Sequence, residues 1–211
     1  MRENLAATLR LLLVTDDALI ADRDVVAICQ AAVRGGVTAV QLRLKAAPDR
    51  VLLELASRLV AELVVPVFVN DRVDVALAAG AAGVHLGPDD LAPALARKIV
   101  PPGFVIGSSV GTEAELERGY PADYWGIGPL RTTVTKHDAG APLGFAGART
   151  LLAHAGTRPA VVIGGVQPED VALAEAAGFA GVAVVRGILG TGDVEAAARR
   201  YARTLRIVVG I

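Results

Sequence analysis

Cysteine, aromatic residues and net charge are all scarce in this chain of 211 residues, which has one cysteine, 4% aromatic residues and a net charge of −1. The single Cys29 excludes an intrachain disulfide and suits a reducing cytosol. The near-neutral charge provides no broad basic surface for nucleic acid. No apolar stretch approaches a membrane span, and the leucine run near the N-terminus is too short for a signal peptide. We therefore expect a cytoplasmic protein that binds neither nucleic acid nor membranes. The sequence does not determine its oligomeric state, and a homo-oligomer is possible.

Hydrophobic residues make up 53% of the chain, and 23 residues are glycine. This composition is typical of small-residue helices packed on buried, valine-rich strands. Short apolar runs predict strands at residues 10–15, 39–42, 66–69, 83–86, 104–106, 123–128, 160–163 and 181–185. Helices are predicted over 24–34, 49–63, 73–81, 90–99, 146–154, 168–177 and 193–205, and Thr112 with Glu115 resembles the capping box of another.

Strands and helices therefore alternate along the whole chain, which favours a parallel sheet. Eight such units in a chain of this length predict an α/β fold of one closed (β/α)8 barrel, a TIM barrel, as a single domain over residues 1–211. A doubly wound open sheet is the alternative. It is less favoured because no GxGxxG follows the first strand. In a barrel, active sites lie on the loops that follow the strands.

Carboxylates follow two neighbouring strands in the stretch from Pro66 to Leu91. Asp71 comes just after the third predicted strand, and Asp90 comes shortly after the fourth. A right-handed crossover makes these strands parallel, so both carboxylates fall on one rim of the sheet. The pair suggests a hard divalent cation, Mg²⁺, held together with substrate phosphates and waters. The alternative is that each aspartate only caps the helix that follows it.

Cationic side chains occupy further strand ends. Arg43 and Lys45 follow the second strand, and Lys136 lies in the loop after the sixth, flanked by Thr133 and Thr135. Together with magnesium, these cations would neutralise a diphosphate. The alternative for each is a solvated surface residue.

Glycines mark a second anion feature. Gly164 and Gly165 follow the seventh strand, and the sequence VVRG closes the eighth. Barrels often bind a phosphate between these two loops through backbone N–H groups. The alternative is a tight turn and nothing else.

The sequence offers no convincing hydrolytic triad, since it has only three histidines. His85 ends the fourth strand and is expected to point into the site, and the alternative is that it has a structural role only. The reaction should therefore rely on charge stabilisation of a departing phosphate group more than on a strong general base. Two phosphate sites and a metal fit a diphosphate leaving group and a phosphate-tagged acceptor.

Motifs at every strand end, in the same order, resemble the thiamine phosphate synthase family. They are VTD (14–16), GGVTAVQLRLK (35–45), VNDRVDVAL (69–77), AGVHLGPDD (82–90), IGSS (106–109), GPLRTTVTK (128–136), IGGV (163–166) and GVAVVRGI (181–188). The resemblance implies that hydroxymethylpyrimidine diphosphate loses diphosphate, and that the nitrogen of a thiazole phosphate takes its place. The family is thought to react dissociatively, through a pyrimidine-methyl cation.

The resemblance also implies roles for individual residues. It implies that Asp71 and Asp90 are the magnesium ligands, and that Arg43, Ser109 and Lys136 are catalytic. The implied contacts to the pyrimidine diphosphate are Gln41, Arg43, Lys45, Asn70, Ser109 and Lys136. The implied thiazole phosphate site is Thr133, Thr135, Gly165, Val185 and Arg186, the last two through backbone N–H groups.

The chain departs from the usual family pattern at Leu44, Pro88, Thr132 and Arg186, where the family often has Glu, Gln, Pro and Ser. Two other functions compete with the synthase. The first is that of the related thiazole tautomerase, but Asp90, the TTVTK run and Gly111 resemble the synthase instead. The second is a non-catalytic barrel that binds a phosphorylated ligand, although binding alone needs no second phosphate site.

Overall fold

Eight parallel strands close into a barrel in a computed structural model that describes residues 4–21, 23–132 and 140–204. The strands are β1 (Leu11–Val14), β2 (Ala39–Leu42), β3 (Val67–Asn70), β4 (Gly83–Leu86), β5 (Val105–Val110), β6 (Tyr124–Ile127), β7 (Ala160–Ile163) and β8 (Gly181–Val184). Each strand pairs with the next in sequence order, and β8 pairs with β1. The predicted (β/α)8 barrel is confirmed, and the open-sheet alternative is wrong.

Helices connect successive strands around the outside of the barrel, while a short helix precedes the first strand and two described helices follow the last. The helices are α1 (Leu5–Thr8), α2 (Asp17–Ile20), α3 (Val25–Arg34), α4 (Asp49–Glu62), α5 (Val73–Ala78), α6 (Pro93–Ala96), α7 (Leu116–Gly119), α8 (Gly144–Leu152), α9 (Asp170–Ala176), α10 (Arg186–Leu189) and α11 (Val194–Thr204). A 3₁₀ turn (Glu113–Glu115) precedes α7. In the described part of the chain, no helix combines the length and the apolar character needed to cross a membrane.

Two apolar layers hold the barrel together, because successive strand side chains face opposite ways. Leu11 and Leu13 of β1 belong to the large cluster between the sheet and the helices. Leu12 and Val14 belong to the smaller cluster inside the barrel. Leu5, in α1, packs against this inner cluster from the end where the strands begin. One end of the barrel is thus filled, and the other is left for the loops that follow the strands.

Two local predictions are wrong. The helix predicted over 90–99 is confined to α6, because the residues before it form a loop in which Asp90 accepts a hydrogen bond from the Gly87 N–H. The capping box at Thr112 does not form either. The Thr112 side chain makes no cap, and Glu115 instead accepts the N–H of Gly111 at 2.6 Å.

Strand β5 is longer than the sequence predicts and extends through Ser109 to Val110. Gly107 and the serines are weak strand formers, which led the prediction to end the strand at Ile106. Gly107 has a packing reason to be there, since a β-carbon would lie 2.5 Å from the hydroxyl of Tyr124. Ser109 is therefore fixed on a strand.

Candidate active site

A cavity of about 450 Å³ opens at the end of the barrel where the strands finish. All the predicted site residues that the structure describes line it: Gln41, Arg43, Lys45, Asn70, Asp71, Asp90, Ser109, Gly165, Val185 and Arg186. His85 lines it as well. The remaining predicted residues, Thr133, Thr135 and Lys136, lie outside the described residues.

Asp71 and Asp90 meet at one side of this cavity. Asp71 follows β3 with a left-handed backbone, φ 64°, and its N–H donates to the carbonyl of His85 at 2.8 Å. Such a conformation is uncommon outside glycine, although aspartate tolerates it better than most residues. Burial, and then the hydrogen bond and negative charge of Asp90, raise the pKa of Asp71 to about 7, against the opposing charges of Lys45 and Arg43. The two carboxyl groups therefore share one site and favour a proton or a cation between them.

A pair of carboxylates suits magnesium better than it suits a metal that is enclosed by protein ligands. Within the described ranges, no group of three or more His, Cys, Asp or Glu side chains is placed to hold a metal ion. Mg²⁺ is usually bound by one or two carboxylates, with substrate phosphates and waters completing its shell. The helix-capping alternative is wrong, because α5 and α6 begin after Arg72 and Ala92 without a side-chain cap.

The loop after β1 positions the cations that follow β2. Arg43 donates to Asp16 at 3.1 Å, and both side chains are largely buried. The carboxylate of Asp17 accepts the backbone N–H of Lys45 at 2.9 Å. The Lys45 ammonium then lies 3.9 Å from the Asp71 carboxylate. Positive charge therefore borders the carboxylate pair. The departure at Leu44 fits this loop, because its side chain packs on the apolar core.

Amide and hydroxyl groups line the next part of the cavity wall. Gln41 donates to the side-chain oxygen of Asn70 at 2.7 Å. The Nε2 atom of His85 lies 3.1 Å from the Ser109 hydroxyl, and its Nδ1 atom lies 3.0 Å from the Tyr124 hydroxyl. The sequence did not indicate Tyr124, which is fully buried at the start of β6.

The glycine loop after β7 is aligned by the loop after β6. The N–H of Leu130 donates to Ile163 at 2.8 Å, and the N–H of Arg131 donates to Gly164 at 3.0 Å. Gly164 and Gly165 have φ values of 94° and 66°, which favour glycine. The backbone N–H of Gly165 finds no acceptor among the described residues, so it is available to a ligand in the cavity.

An ion pair that the sequence did not indicate fixes the same two loops. The guanidinium of Arg131 contacts both carboxylate oxygens of Asp170, one of them at 2.7 Å, and donates to the Gly165 carbonyl at 3.1 Å. Asp170 also accepts the N–H of Gln167 at 2.7 Å. Burial alone would raise the pKa of Asp170, but the hydrogen bonds from Arg131 and Gln167 outweigh it and hold the pKa below its usual range. The partners are far apart in sequence, so no local pattern could have revealed them.

Comparisons with known proteins show the family to which the chain belongs. A family model described as thiamine monophosphate synthase matches residues 11–188. The chain is also 46% identical to the thiamine-phosphate synthase of Azorhizobium caulinodans, over 95% of each chain. The chain belongs to the thiamine-phosphate synthase family. It is therefore an enzyme, a transferase of thiamine phosphate synthesis, and the resemblance noted from its motifs is confirmed.

Further relatives support the same family. A thiamine-phosphate synthase from Xanthobacter autotrophicus is 48% identical, over 90% of this chain and 92% of that protein. The solved thiamine phosphate pyrophosphorylase from Pyrococcus furiosus is 34% identical, with a TM-score of 0.85 over 98% of this chain and 100% of that chain. A 3-hexulose-6-phosphate synthase structure has a TM-score of 0.70 at 19% identity over 92% of this chain and 99% of that chain, a likeness of fold alone.

The Arg131–Asp170 pair gives a stability prediction for this family member. We expect Asp170→Asn to lower the free energy of unfolding at neutral pH by about 1.5–3 kcal/mol, the usual contribution of hydrogen bonds to charged groups. The pKa of Asp170 is lower in the folded than in the unfolded chain. Its contribution is therefore complete above the unfolded pKa of about 3.9 and is lost as the pH falls through the folded value.

Urea unfolding of the two proteins at neutral pH and near the folded pKa of Asp170 would check this prediction, and the difference should shrink in acid. Asp193→Asn is a matched control, because Asp193 is an exposed aspartate that accepts a backbone N–H at 2.9 Å. A difference that is equally large at both pH values would contradict the ionic role.

Proposed function

We propose that this cavity joins hydroxymethylpyrimidine diphosphate to a thiazole phosphate, with release of diphosphate and formation of thiamine phosphate. The bond between the pyrimidine methylene carbon and diphosphate breaks, and its electron pair leaves on the diphosphate oxygen. The lone pair of the thiazole nitrogen forms the new carbon–nitrogen bond. The observation that carries the proposal is that a carboxylate pair, a cationic edge and a glycine loop share one cavity of about 450 Å³. That volume suits two adjacent small molecules, since ligand sites span roughly 300–1,000 Å³.

The diphosphate is proposed to lie beside Asp71 and Asp90. These carboxylates would hold Mg²⁺ together with diphosphate oxygens and water, and the ion would supply positive charge against the departing diphosphate. Arg43 and Lys45 border the same edge and add to that stabilisation. Lys136, assigned here by resemblance alone, completes the set. The N–H of Gly87 supports Asp90, so the departure at Pro88 leaves this carboxylate held in place.

The pyrimidine ring is proposed to lie against the amide and hydroxyl groups of the cavity wall. Gln41 and Asn70 are already oriented by their mutual hydrogen bond, so each presents its remaining polar atoms in a fixed direction. Ser109 lines the same cavity from strand β5. Such groups fix the ring so that its methylene carbon faces the second substrate.

The thiazole phosphate is proposed to bind between the loops after β7 and β8. Backbone N–H groups of Gly165, Val185 and Arg186 would hold the phosphate, with Thr133 and Thr135 added by resemblance alone. Neither Gly165 nor Val185 has an acceptor for its N–H among the described residues. The Arg186 side chain is exposed, which is consistent with a contribution from its backbone.

We also propose that the enzyme works in the cytoplasm. Cys29 is a free, buried cysteine, and burial raises the pKa of its thiol to about 12. It therefore forms little reactive thiolate, and a chain stabilised without disulfides is typical of a reducing compartment.

Incubation with both substrates and Mg²⁺ tests the reaction. We expect thiamine phosphate and diphosphate to form in equal amounts, and Asp90→Asn to lower the rate by at least about 100-fold, since it removes a charge from the magnesium site. Thermal unfolding would show that the variant is folded. Formation of neither product from the intact chain would contradict the proposed function, and full turnover by the folded variant would contradict the metal site.

Gly165→Ala tests the thiazole phosphate site. Its β-carbon would crowd the loop, lying 3.0 Å from the β-carbon of Arg131, and should raise the Kd for thiazole phosphate about tenfold or more. Pyrimidine diphosphate binding should change little. Arg186→Ser should be milder because it keeps the N–H.

Gly156→Ala is the matched control. Gly156 has nearly the same backbone φ, 62°, but no atom of the described residues lies within 4 Å of the position that a β-carbon would take there. Both alanine variants carry a similar backbone penalty, and only Gly165→Ala should affect calorimetric titration with thiazole phosphate. Normal thiazole phosphate binding by Gly165→Ala, or a larger rise in Kd from Arg186→Ser, would contradict the backbone site. It would indicate that side chains bind the phosphate instead.

A further inference from the structure

Tyr124, His85 and Ser109 form a chain of hydrogen bonds that runs from the closed interior of the barrel to the cavity. Tyr124 is 0% exposed and packs against Phe68, with ring centroids 5.8 Å apart. His85 is 8% exposed and lies between Tyr124 and Ser109. Ser109 lines the cavity. His85 also borders the cavity, whereas Tyr124 is closed off from it.

The direction of the first hydrogen bond follows from the burial of Tyr124. Its hydroxyl has one hydrogen to donate, and among the described residues its partner is Nδ1 of His85 at 3.0 Å. If Nδ1 carried a hydrogen, the phenol hydrogen would be left without an acceptor in an apolar interior, which is unfavourable. Burial also raises the pKa of Tyr124, so the phenol keeps its hydrogen. Nδ1 of His85 therefore accepts.

The direction of the second hydrogen bond follows from the first. A neutral imidazole with an accepting Nδ1 carries its hydrogen on Nε2. That N–H points at the oxygen of Ser109, 3.1 Å away. The serine oxygen thus accepts from His85 and keeps its own hydrogen for another partner.

We propose that Tyr124 and His85 are positioning residues that orient the Ser109 hydroxyl as a hydrogen-bond donor into the cavity. The ligand group that it would meet is an acceptor on the pyrimidine diphosphate, such as a ring nitrogen or a phosphate oxygen. The role assigned to the substrate rests on the proposed function. The tautomer of His85 does not, since it follows from the protein alone.

The packing around His85 keeps the ring in place. A β-carbon at Gly126 would lie 3.1 Å from Cε1 of the imidazole, so the glycine leaves room for the ring. The His85 and Tyr124 rings lie 5.4 Å apart at 40°. Both histidine nitrogens are thus held towards their partners by the strands β4, β5 and β6 and not by loops.

Nitrogen-15 NMR of the ligand-free protein at one fixed pH tests the tautomer. The His85 signals are assigned by their loss in His85→Gln. We expect Nδ1 to resonate as an unprotonated nitrogen and Nε2 as a protonated one. Tyr124→Phe should mix the two tautomers. Tyr201→Phe is the matched control, because it also removes a buried tyrosine hydroxyl, one that donates to Val166 at 3.0 Å, and it should leave the His85 signals unchanged.

Steady-state kinetics with both substrates test the positioning role. Tyr124→Phe and Ser109→Ala should each lower kcat about tenfold or more, and the double variant should lose little beyond Ser109→Ala, because both changes remove the same oriented hydroxyl. The KM for thiazole phosphate should stay the same. Ser109→Thr, which keeps a hydroxyl, should recover part of the activity.

Either experiment can overturn the proposal. A protonated Nδ1 in the unmodified protein would reverse the hydrogen-bond chain, whatever the enzyme's reaction. With the expected tautomer, multiplicative losses in the double variant would show that Tyr124 acts on activity independently of Ser109. If the NMR result holds and the intact enzyme forms no thiamine phosphate, the proposed function fails and the tautomer assignment stands.

Discussion

Closure of a parallel barrel places the carboxyl ends of all eight strands on one rim, and the whole site depends on that constraint. The register of β3 and β4 pairs Asn70 with His85. The N–H of the next residue, Asp71, donates to the carbonyl of His85. The sheet therefore fixes the backbone of one carboxylate, and the Gly87 N–H holds the other. Because α1 fills the opposite end, ligands have access from the rim that carries this chemistry.

The rim is not optimised for stability without its ligands. Asp71 has a left-handed backbone, and its carboxyl group is partly buried beside Asp90. Burial, and then the hydrogen bond and charge of Asp90, raise its pKa to about 7. The positive charges of Lys45 and Arg43 lower the pKa of Asp71 only in part. Arg43 is also paired with Asp16. A divalent cation would neutralise the carboxylates, and a diphosphate bound to it would neutralise the cationic side chains. Local strain of this kind is typical of functional sites.

The sequence predicted the barrel and most of the cavity wall because both depend on periodicity and on residues that directly follow strands. It was less informative where residues act across the fold. Arg131 and Asp170 come together only through the pairing of β6 and β7, and no local pattern marks either one. In the sequence Tyr124 looks like an ordinary strand residue. Its hydroxyl meets Nδ1 of His85 only because the barrel brings β4 close to it. The helix predicted at Asp90 was wrong because a local hydrogen bond, from the Gly87 N–H to the Asp90 side chain, holds these residues in a loop.

We propose that Asp71 and Asp90 bind the diphosphate substrate through a shared magnesium ion. The most direct measurement is a calorimetric titration of the enzyme with hydroxymethylpyrimidine diphosphate, in Mg²⁺ and again with the metal removed by a chelator, with unphosphorylated hydroxymethylpyrimidine as the control ligand. Removing the metal should weaken binding of the diphosphate by at least about tenfold, because the carboxylates then repel it, and should leave binding of the control ligand unchanged. Equal affinity for the diphosphate with and without Mg²⁺ would contradict the shared magnesium site.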